Sequence, residues 1–92
     1  MYKTMTLNDV RAYYGRRYKR ILDALEFRGA TDFEVDTDCH RYLQVKCNIG
    51  AKRITVNIGI NNKYNTWVYR SGIWKRESFS TMTETASYIM TI

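Results

Sequence analysis

The spacing of apolar residues changes at Gly29, and this change constrains the fold more than any other feature of the sequence. Between Thr6 and Arg28, apolar residues recur every three or four positions, which is the period of an amphipathic helix. After Gly29 they alternate with polar residues, as in a β-strand that buries one face. The sequence therefore predicts an N-terminal helix followed by a sheet.

Capping signals mark the ends of two predicted helices. Thr6 followed by Asp9 favours a helix start, because the hydroxyl can accept an early backbone N–H and the acid suits the positive end of the helix dipole. Gly29 ends this helix, since glycine adopts the left-handed conformation at little cost. Thr81 and Glu84 form a capping box that predicts a short C-terminal helix through Met90.

Three to five antiparallel strands are predicted between the helices. Phe33 and Val35 alternate with acidic residues in the first of them. The inner faces of the next two are Leu43, Val45, Cys47 and Ile49, and then Ile54, Val56, Ile58 and Ile60, with turns over 48–52 and 61–63. A last hairpin pairs 65–69 with 73–79 around 70–72.

These 92 residues are predicted to form a single domain, 1–92, of class α+β. The architecture that uses every apolar face is a two-layer sandwich, with both helices on one face of the antiparallel sheet. The other sheet face is then open to solvent. It is predicted to carry Tyr42, Lys46, Arg53, Asn57 and one side of the last hairpin.

Charge is distributed in three blocks that sum to +6. Residues 1–30 and 51–92 are each four positive, whereas residues 31–50 are two negative. A basic surface of this kind binds polyanions. Arg16, Lys19 and Arg20 form a basic patch opposite the apolar stripe of the first helix, and Asp23 neutralises part of it.

The acidic block places Asp32, Glu34 and Asp36 in one row of the first strand. Two interpretations of this row remain open. It is either a solvated edge strand that charge protects against aggregation, or a surface that meets lysines and arginines of a protein partner.

The last hairpin combines aromatic and basic residues. Alternation puts Trp67 and Tyr69 on one side, next to Arg70, and it puts Trp74 and Arg76 on one side of the following strand, with Lys75 on the other. Tryptophan, tyrosine and arginine dominate both base-stacking platforms and protein-binding hot spots, so the hairpin is a candidate for either. Alternatively, the rings serve mainly to cover a small core.

Catalytic and metal-binding patterns are weak. Cys39 and His40 are the only adjacent nucleophile and base, but neighbours in an extended segment point to opposite sides. Asp38, Cys39, His40 and Cys47 can be drawn as four metal ligands, yet alternation assigns Cys47 to the buried face and zinc ligands are usually closely paired. The sequence therefore predicts no enzyme, no metal site and no cofactor. It contains no apolar run of membrane-spanning length, so we expect a soluble, cytoplasmic protein.

The order helix, strands, helix resembles the double-stranded RNA-binding domain in topology. That family carries a glycine- and lysine-rich motif at the start of its last helix, whereas residues 80–86 contain no lysine or arginine. If this chain binds RNA, the basic residues of its first helix and last hairpin would have to make the phosphate contacts.

In its small size, charge mosaic and lack of an enzymatic motif, the chain also resembles the inhibitors that bacteriophages direct at host defence, including anti-CRISPR proteins. This resemblance implies a protein in the cytoplasm of a bacterial host that binds a nucleoprotein complex and blocks its recognition of nucleic acid. The acidic row would then meet basic protein, while the basic residues reach phosphates or acidic protein. The alternative is a stand-alone RNA- or DNA-binding module.

Overall fold

The computed structural model describes residues 1–38, 42–58 and 63–92. Along the chain, the strands and helices in these ranges are β1 (Tyr2–Met5), α1 (Leu7–Tyr14), α2 (Lys19–Phe27), β2 (Thr31–Asp36), β3 (Gln44–Ile49), β4 (Lys52–Ile58), β5 (Tyr64–Arg70), β6 (Ile73–Phe79) and α3 (Met82–Ile89).

The strands form one antiparallel sheet in the order β1-β2-β3-β4-β5-β6. The described residues thus contain six strands, and the prediction of three to five was too low. The strand that the sequence did not reveal is β1, which pairs Tyr2 with Asp36 and Met5 with Phe33. Four residues are too few to show a clear alternation, and pairing with β2 makes this segment a strand. Because β1 covers β2, the prediction that the acidic strand forms a sheet edge is wrong.

The single N-terminal helix predicted over residues 6–28 is divided into α1 and α2. Gly15 causes the division, since its φ of 64° and ψ of −133° lie in a region that only glycine enters readily. Tyr14 and Tyr18, on either side of the break, are both buried and their rings meet edge to face at 5.4 Å. The apolar stripe therefore continues across the break, which explains why the periodicity suggested one helix.

The predicted helix ends are confirmed. The N–H of Asp9 donates to Thr6 Oγ1 at 3.2 Å, and the N–H of Thr6 donates to Asp9 Oδ2 at 3.3 Å. Gly29 follows α2 with a φ of 71°. At α3, the N–H of Glu84 donates to Thr81 Oγ1 at 3.1 Å.

The core lies between the helices and one face of the sheet, which confirms the α+β two-layer architecture. Alternation correctly predicted the inner sheet face, whose buried apolar residues are Phe33, Val35, Leu43, Val45, Cys47, Ile49, Ile54, Val56, Ile58 and Val68. The predicted inner residue Ile60 lies outside the described residues. The helices contribute Val10, Tyr14, Tyr18, Ile21, Leu22, Ala24, Leu25 and Ile89. Since all three helices share this core, they cover one face of the sheet and leave the other open.

The hairpin turn between β5 and β6 fixes the position of the aromatic side chains. Ser71 and Gly72 have φ angles of 51° and 84°, as a type I′ turn requires at both central positions. The turn sets Arg70 opposite Ile73, and every later pair in the hairpin follows from this register. The predicted turn at Gly50 is also present, whereas residues 61 and 62 of the other predicted turn lie outside the described ranges.

Candidate binding surface

Four of the predicted site residues lie together on the open sheet face. In the register of the last three strands, Trp67 lies opposite Thr55 on one side and Arg76 on the other. Tyr69 likewise lies between Arg53 and Trp74. We define Trp67, Tyr69, Trp74 and Arg76 as the aromatic cluster.

The aromatic cluster is closely packed yet accessible to a partner. The rings of Tyr69 and Trp74 have centroids 5.0 Å apart, and the guanidinium carbon of Arg76 lies 5.5 Å from the centroid of Trp67. Trp74 is 49% exposed and Tyr69 is 37% exposed. Arg76 has no carboxylate within ion-pair distance among the residues that the structure describes. These side chains are therefore available to a ligand.

A cleft of about 370 Å³ opens between Thr55, Trp67 and Trp74. Thr55 on β4 is a short residue directly opposite Trp67, and Trp74 reaches the same space from β6, diagonal to Trp67. We call this space the Thr55 cleft. The alternation of β4 predicted that Thr55 is on the outer face, but only the pairing of β4 with β5 brings it directly opposite Trp67.

Arg70 and Lys75 are separated from the aromatic cluster. They lie on the helix side of the hairpin, where they line a groove with Val68, Ile73 and Tyr88. Lys75 Nζ is 3.7 Å from the carboxylate of Glu77. The last hairpin thus presents aromatic rings and Arg76 on the open face, and the other two predicted cations on the opposite face.

The predicted basic patch also belongs to the helix layer. Arg16 lies in the connection between α1 and α2. Lys19 Nζ is 2.6 Å from Asp23, whose carboxylate also meets Arg11 at 2.9 Å. Hydrogen bonds from Lys19 and Arg11 hold the pKa of Asp23 below its ordinary value. Arg20 lies in the first turn of α2, and its Nη1 donates to Thr83 Oγ1 at 2.9 Å. The patch is therefore partly neutralised and does not adjoin the aromatic cluster.

Each carboxylate of the acidic row has a partner within the protein. Glu34 Oε1 accepts from Arg53 Nη2 at 2.7 Å, and the same guanidinium donates to the carbonyl oxygen of Asp32 at 3.1 Å. The Asp32 carboxylate accepts from Asn48 at 3.0 Å. Asp36 accepts from the amino group of Met1 at 2.9 Å, which lowers the pKa of its carboxyl group. The acidic row is therefore held by hydrogen bonds and ion pairs within the protein, near the β1 edge of the open face.

Two other residues predicted on the open face, Lys46 and Asn57, lie in its central strands. Lys46 lies opposite Thr55, and its ammonium lies over the ring of Tyr2 at 4.1 Å from the centroid. Asn57 is on the same face at the end of β4, whereas Tyr42 precedes β3 and is 44% exposed. Across the strands, the open face changes from acidic at β2 to cationic at its centre and aromatic at β5 and β6.

Cys47 is fully buried on the inner sheet face, as the alternation predicted, and burial raises the pKa of its thiol to about 12. Because the thiolate is the reactive form, we expect Cys47 in a Cys39→Ser variant not to react with a disulfide reagent at pH 8 until urea unfolds the protein.

The raised pKa of Cys47 also makes stability depend on pH, because the folded state keeps a proton that the unfolded chain releases near pH 9.0. This thiol's contribution to stability is therefore complete below pH 9 and decreases as the pH rises toward 12.

A thiol titration with and without urea measures this reactivity. Reaction of native Cys47 at a rate faster than global unfolding would contradict its placement in the core.

Among residues 1–38, 42–58 and 63–92, no three side chains of histidine, cysteine, aspartate or glutamate are grouped to hold a metal ion. Within the same ranges, no helix is long and apolar enough to cross a membrane. Cys39 and His40, the pair that the sequence offered as a weak nucleophile and base, lie outside those ranges. No protein-family model matches the chain, and no curated protein or solved structure matches it either.

Proposed function

We propose that this chain is a non-enzymatic binding protein that docks on a nucleoprotein complex of a bacterial host and blocks its recognition of nucleic acid, as phage-encoded inhibitors of host defence do. The observation that carries the proposal is the aromatic cluster on the open sheet face. Trp74 and Tyr69 remain substantially exposed there, although an apolar core was available on the other face.

The composition of the aromatic cluster suits the centre of an interface. Tryptophan, tyrosine and arginine are the residues that most often contribute large shares of binding energy, because they bury much area with few rotatable bonds. Arg76 beside Trp67 adds a cation that can meet a phosphate or a carboxylate. A nucleoprotein offers both groups, together with bases and apolar side chains.

The positions of the cations support a target that surrounds the protein. The aromatic cluster is on the open sheet face, whereas Arg16, Lys19 and Arg20 belong to the helix layer. A single flat partner would contact only one of these surfaces. A channel walled by protein and nucleic acid can contact both, and the net charge of +6 favours its approach to nucleic acid.

A second candidate is a stand-alone RNA- or DNA-binding module, and the observation that favours it is the Thr55 cleft. Two indoles around a short threonine, with Arg76 beside one of them, form a surface on which bases can stack without any protein partner. The open-face cation Arg53 is held by Glu34, so the phosphate contacts of such a module would depend on Arg76 and Lys46.

A tagged pull-down from a bacterial host lysate, run with and without nuclease, tests the two candidates. Capture of a discrete, stoichiometric set of subunits that survives nuclease supports the inhibitor. A diffuse set of proteins that disappears on nuclease treatment supports the stand-alone binder and contradicts the inhibitor.

The acidic row provides a second discrimination. In a variant with Asp32→Asn, Glu34→Gln and Asp36→Asn, we expect capture of the nucleoprotein complex to fall, because the acidic contacts to basic protein are lost. A stand-alone phosphate binder should instead gain affinity, since the repulsion is removed and Arg53 is released from Glu34. Glu77→Gln, on the other sheet face, removes a carboxylate outside the row and serves as the control. Thermal unfolding of each variant verifies that it remains folded.

A further inference from the structure

We infer that the Thr55 cleft is a stacking site for an unpaired nucleobase of single-stranded nucleic acid. This inference rests on the proposed function, because it names the chemical group that the aromatic cluster would engage. It concerns the space between Trp67 and Trp74, whose lining consists of two indoles and one threonine.

The geometry of the strands gives the cleft its shape. Trp67 and Trp74 are diagonal neighbours, since Trp67 pairs with Arg76 and Trp74 pairs with Tyr69. Thr55 lies across from Trp67 on the other side, and its short side chain leaves the floor low. The space of about 370 Å³ is shallow and largely open to solvent, so it presents ring faces and does not enclose a ligand. An aromatic ring system of the size of a nucleobase suits such a space.

Along one row of the sheet, Arg76 lies beside the cleft on one side, and the backbone of Lys46 lies on the other side, where its ammonium contacts the Tyr2 ring at 4.1 Å. The row runs Lys46, Thr55, Trp67, Arg76, with each residue opposite the next on the neighbouring strand. Neighbouring strands are separated by roughly 4.8 Å, so the backbone positions of Lys46 and Arg76 are about 14 Å apart with the cleft between them. A strand that places a base in the cleft can therefore direct one flanking phosphate toward Arg76, and a phosphate on the other side reaches Lys46 when its ammonium moves away from Tyr2.

Charge complementarity and the aromatic lining together favour single-stranded nucleic acid over other occupants. The bases of a duplex are stacked on one another and would first have to be unpaired, whereas every unpaired base presents a free aromatic face. An acidic protein segment would satisfy Lys46 and Arg76 but would leave the indoles without a planar partner. RNA and DNA share the chemistry required, so the experiment includes both.

Intrinsic fluorescence is a direct measurement of this site, because the chain has two tryptophans and both line the cleft. Titration with a 15-residue oligothymidine or oligouridine is expected to quench the fluorescence. An oligodeoxynucleotide of equal length and charge that lacks bases is expected to bind more weakly and to cause no quenching. The difference between the two DNA strands isolates stacking from phosphate contacts, and the comparison of thymidine with uridine strands shows whether the site prefers one sugar.

Substitutions then assign the effect to the cleft. Trp74→Ala should weaken binding of oligothymidine by roughly 5- to 150-fold, as expected for the loss of one stacking partner, when binding is followed with a labelled strand. Thr55→Met fills the floor without changing the charge and should also weaken binding. Phe27→Ala, a change at a 76% exposed aromatic residue of the helix layer, is the matched control and should have no effect. Arg76→Ala should lower the dependence of log affinity on log salt concentration by roughly 0.7.

Three results would overturn the inference. Equal affinity for the base-containing and baseless strands would show that only phosphates are contacted. Unchanged binding in Thr55→Met and Trp74→Ala would place the bases elsewhere. A third result would be that no oligonucleotide binds, while a protein complex is still captured after nuclease treatment and its capture requires Trp74. The cleft would then be a protein contact, so the inference would fail and the proposed function would stand. If the protein neither captured a complex nor bound an oligonucleotide, the inference and the proposed function would both be contradicted.

Discussion

Truncation of Ile89 to alanine is expected to lower the free energy of unfolding by about 2–5 kcal/mol, the usual cost of deleting the side chain of a buried isoleucine. Ile89 is fully buried, and it is the one apolar residue of α3 in the core cluster. Helix α3 crosses beside α2 and the last two strands, so the cavity would form where these elements meet. Because small domains are stable by only about 5–15 kcal/mol, this loss should lower the unfolding midpoint markedly.

Urea denaturation followed by circular dichroism measures this effect. Met90→Ala is a close control, since Met90 is the next residue and is 40% exposed. We expect the control to cost far less, because little apolar contact is lost at a surface position. Equal costs for the two substitutions would contradict the packing of α3 through Ile89.

The double substitution Trp67→Ala and Trp74→Ala is expected to weaken binding of the natural target by roughly 30-fold or more, which corresponds to a hot-spot loss of at least about 2 kcal/mol. The reason is independent of whether the target contributes a base or a side chain. Both indoles line the Thr55 cleft, and their removal would leave a flat, polar surface around Thr55. The measurement is the dissociation constant for the complex that the pull-down identifies.

Ile73→Ala is a matched control for this prediction. Ile73 is 70% exposed and lies in β6 next to Trp74, but its side chain lies on the helix side with Arg70 and Lys75. We expect it to leave target binding unchanged. If Ile73→Ala weakened binding as strongly as the tryptophan substitutions, the contact surface would include the groove beside α3, and the aromatic cluster would not be the main site.

The aromatic cluster and the basic residues of the helix layer lie on opposite faces, so their contributions to target binding can be measured separately. Substitutions in the aromatic cluster and in the basic helix residues remove contacts on opposite sides of a two-layer structure. Their effects on the free energy of target binding should therefore be nearly additive if the protein fills a channel, because distant sites without shared partners rarely couple. If the target touches only one face, the substitutions on the other face should leave the free energy of target binding unchanged.

Much of the local structure was predictable from neighbouring residues alone. Thr6 and Thr81 were recognised as helix caps because their partners are three positions away. The buried positions of β3 and β4 followed from alternation, since each strand must turn one face to the core. For the same reason the sequence placed Trp67 and Tyr69 on one side of β5, and Trp74 and Arg76 on one side of β6.

Contacts between distant segments were not predictable in this way. The strand β1 has no strong pattern of its own and exists through pairing with β2, whose residues lie 28 to 34 positions further along the chain. Gly15 interrupts a helix whose apolar stripe continues, because the side chains of Tyr14 and Tyr18 still reach the same core. Arg53 holds Glu34 only because β3 brings β2 and β4 to its two sides.

The amino-acid sequence alone indicates the class of the fold, the helix ends at Thr6, Gly29 and Thr81, and the side of each strand on which an aromatic or charged residue lies. These features depend on burial and on hydrogen bonds between near neighbours. Pairing between distant strands makes the acidic strand internal and brings Thr55 into one space with Trp67 and Trp74. The reason is physical: strand order and register are set by pairing between distant segments, which a periodic pattern within one segment does not specify.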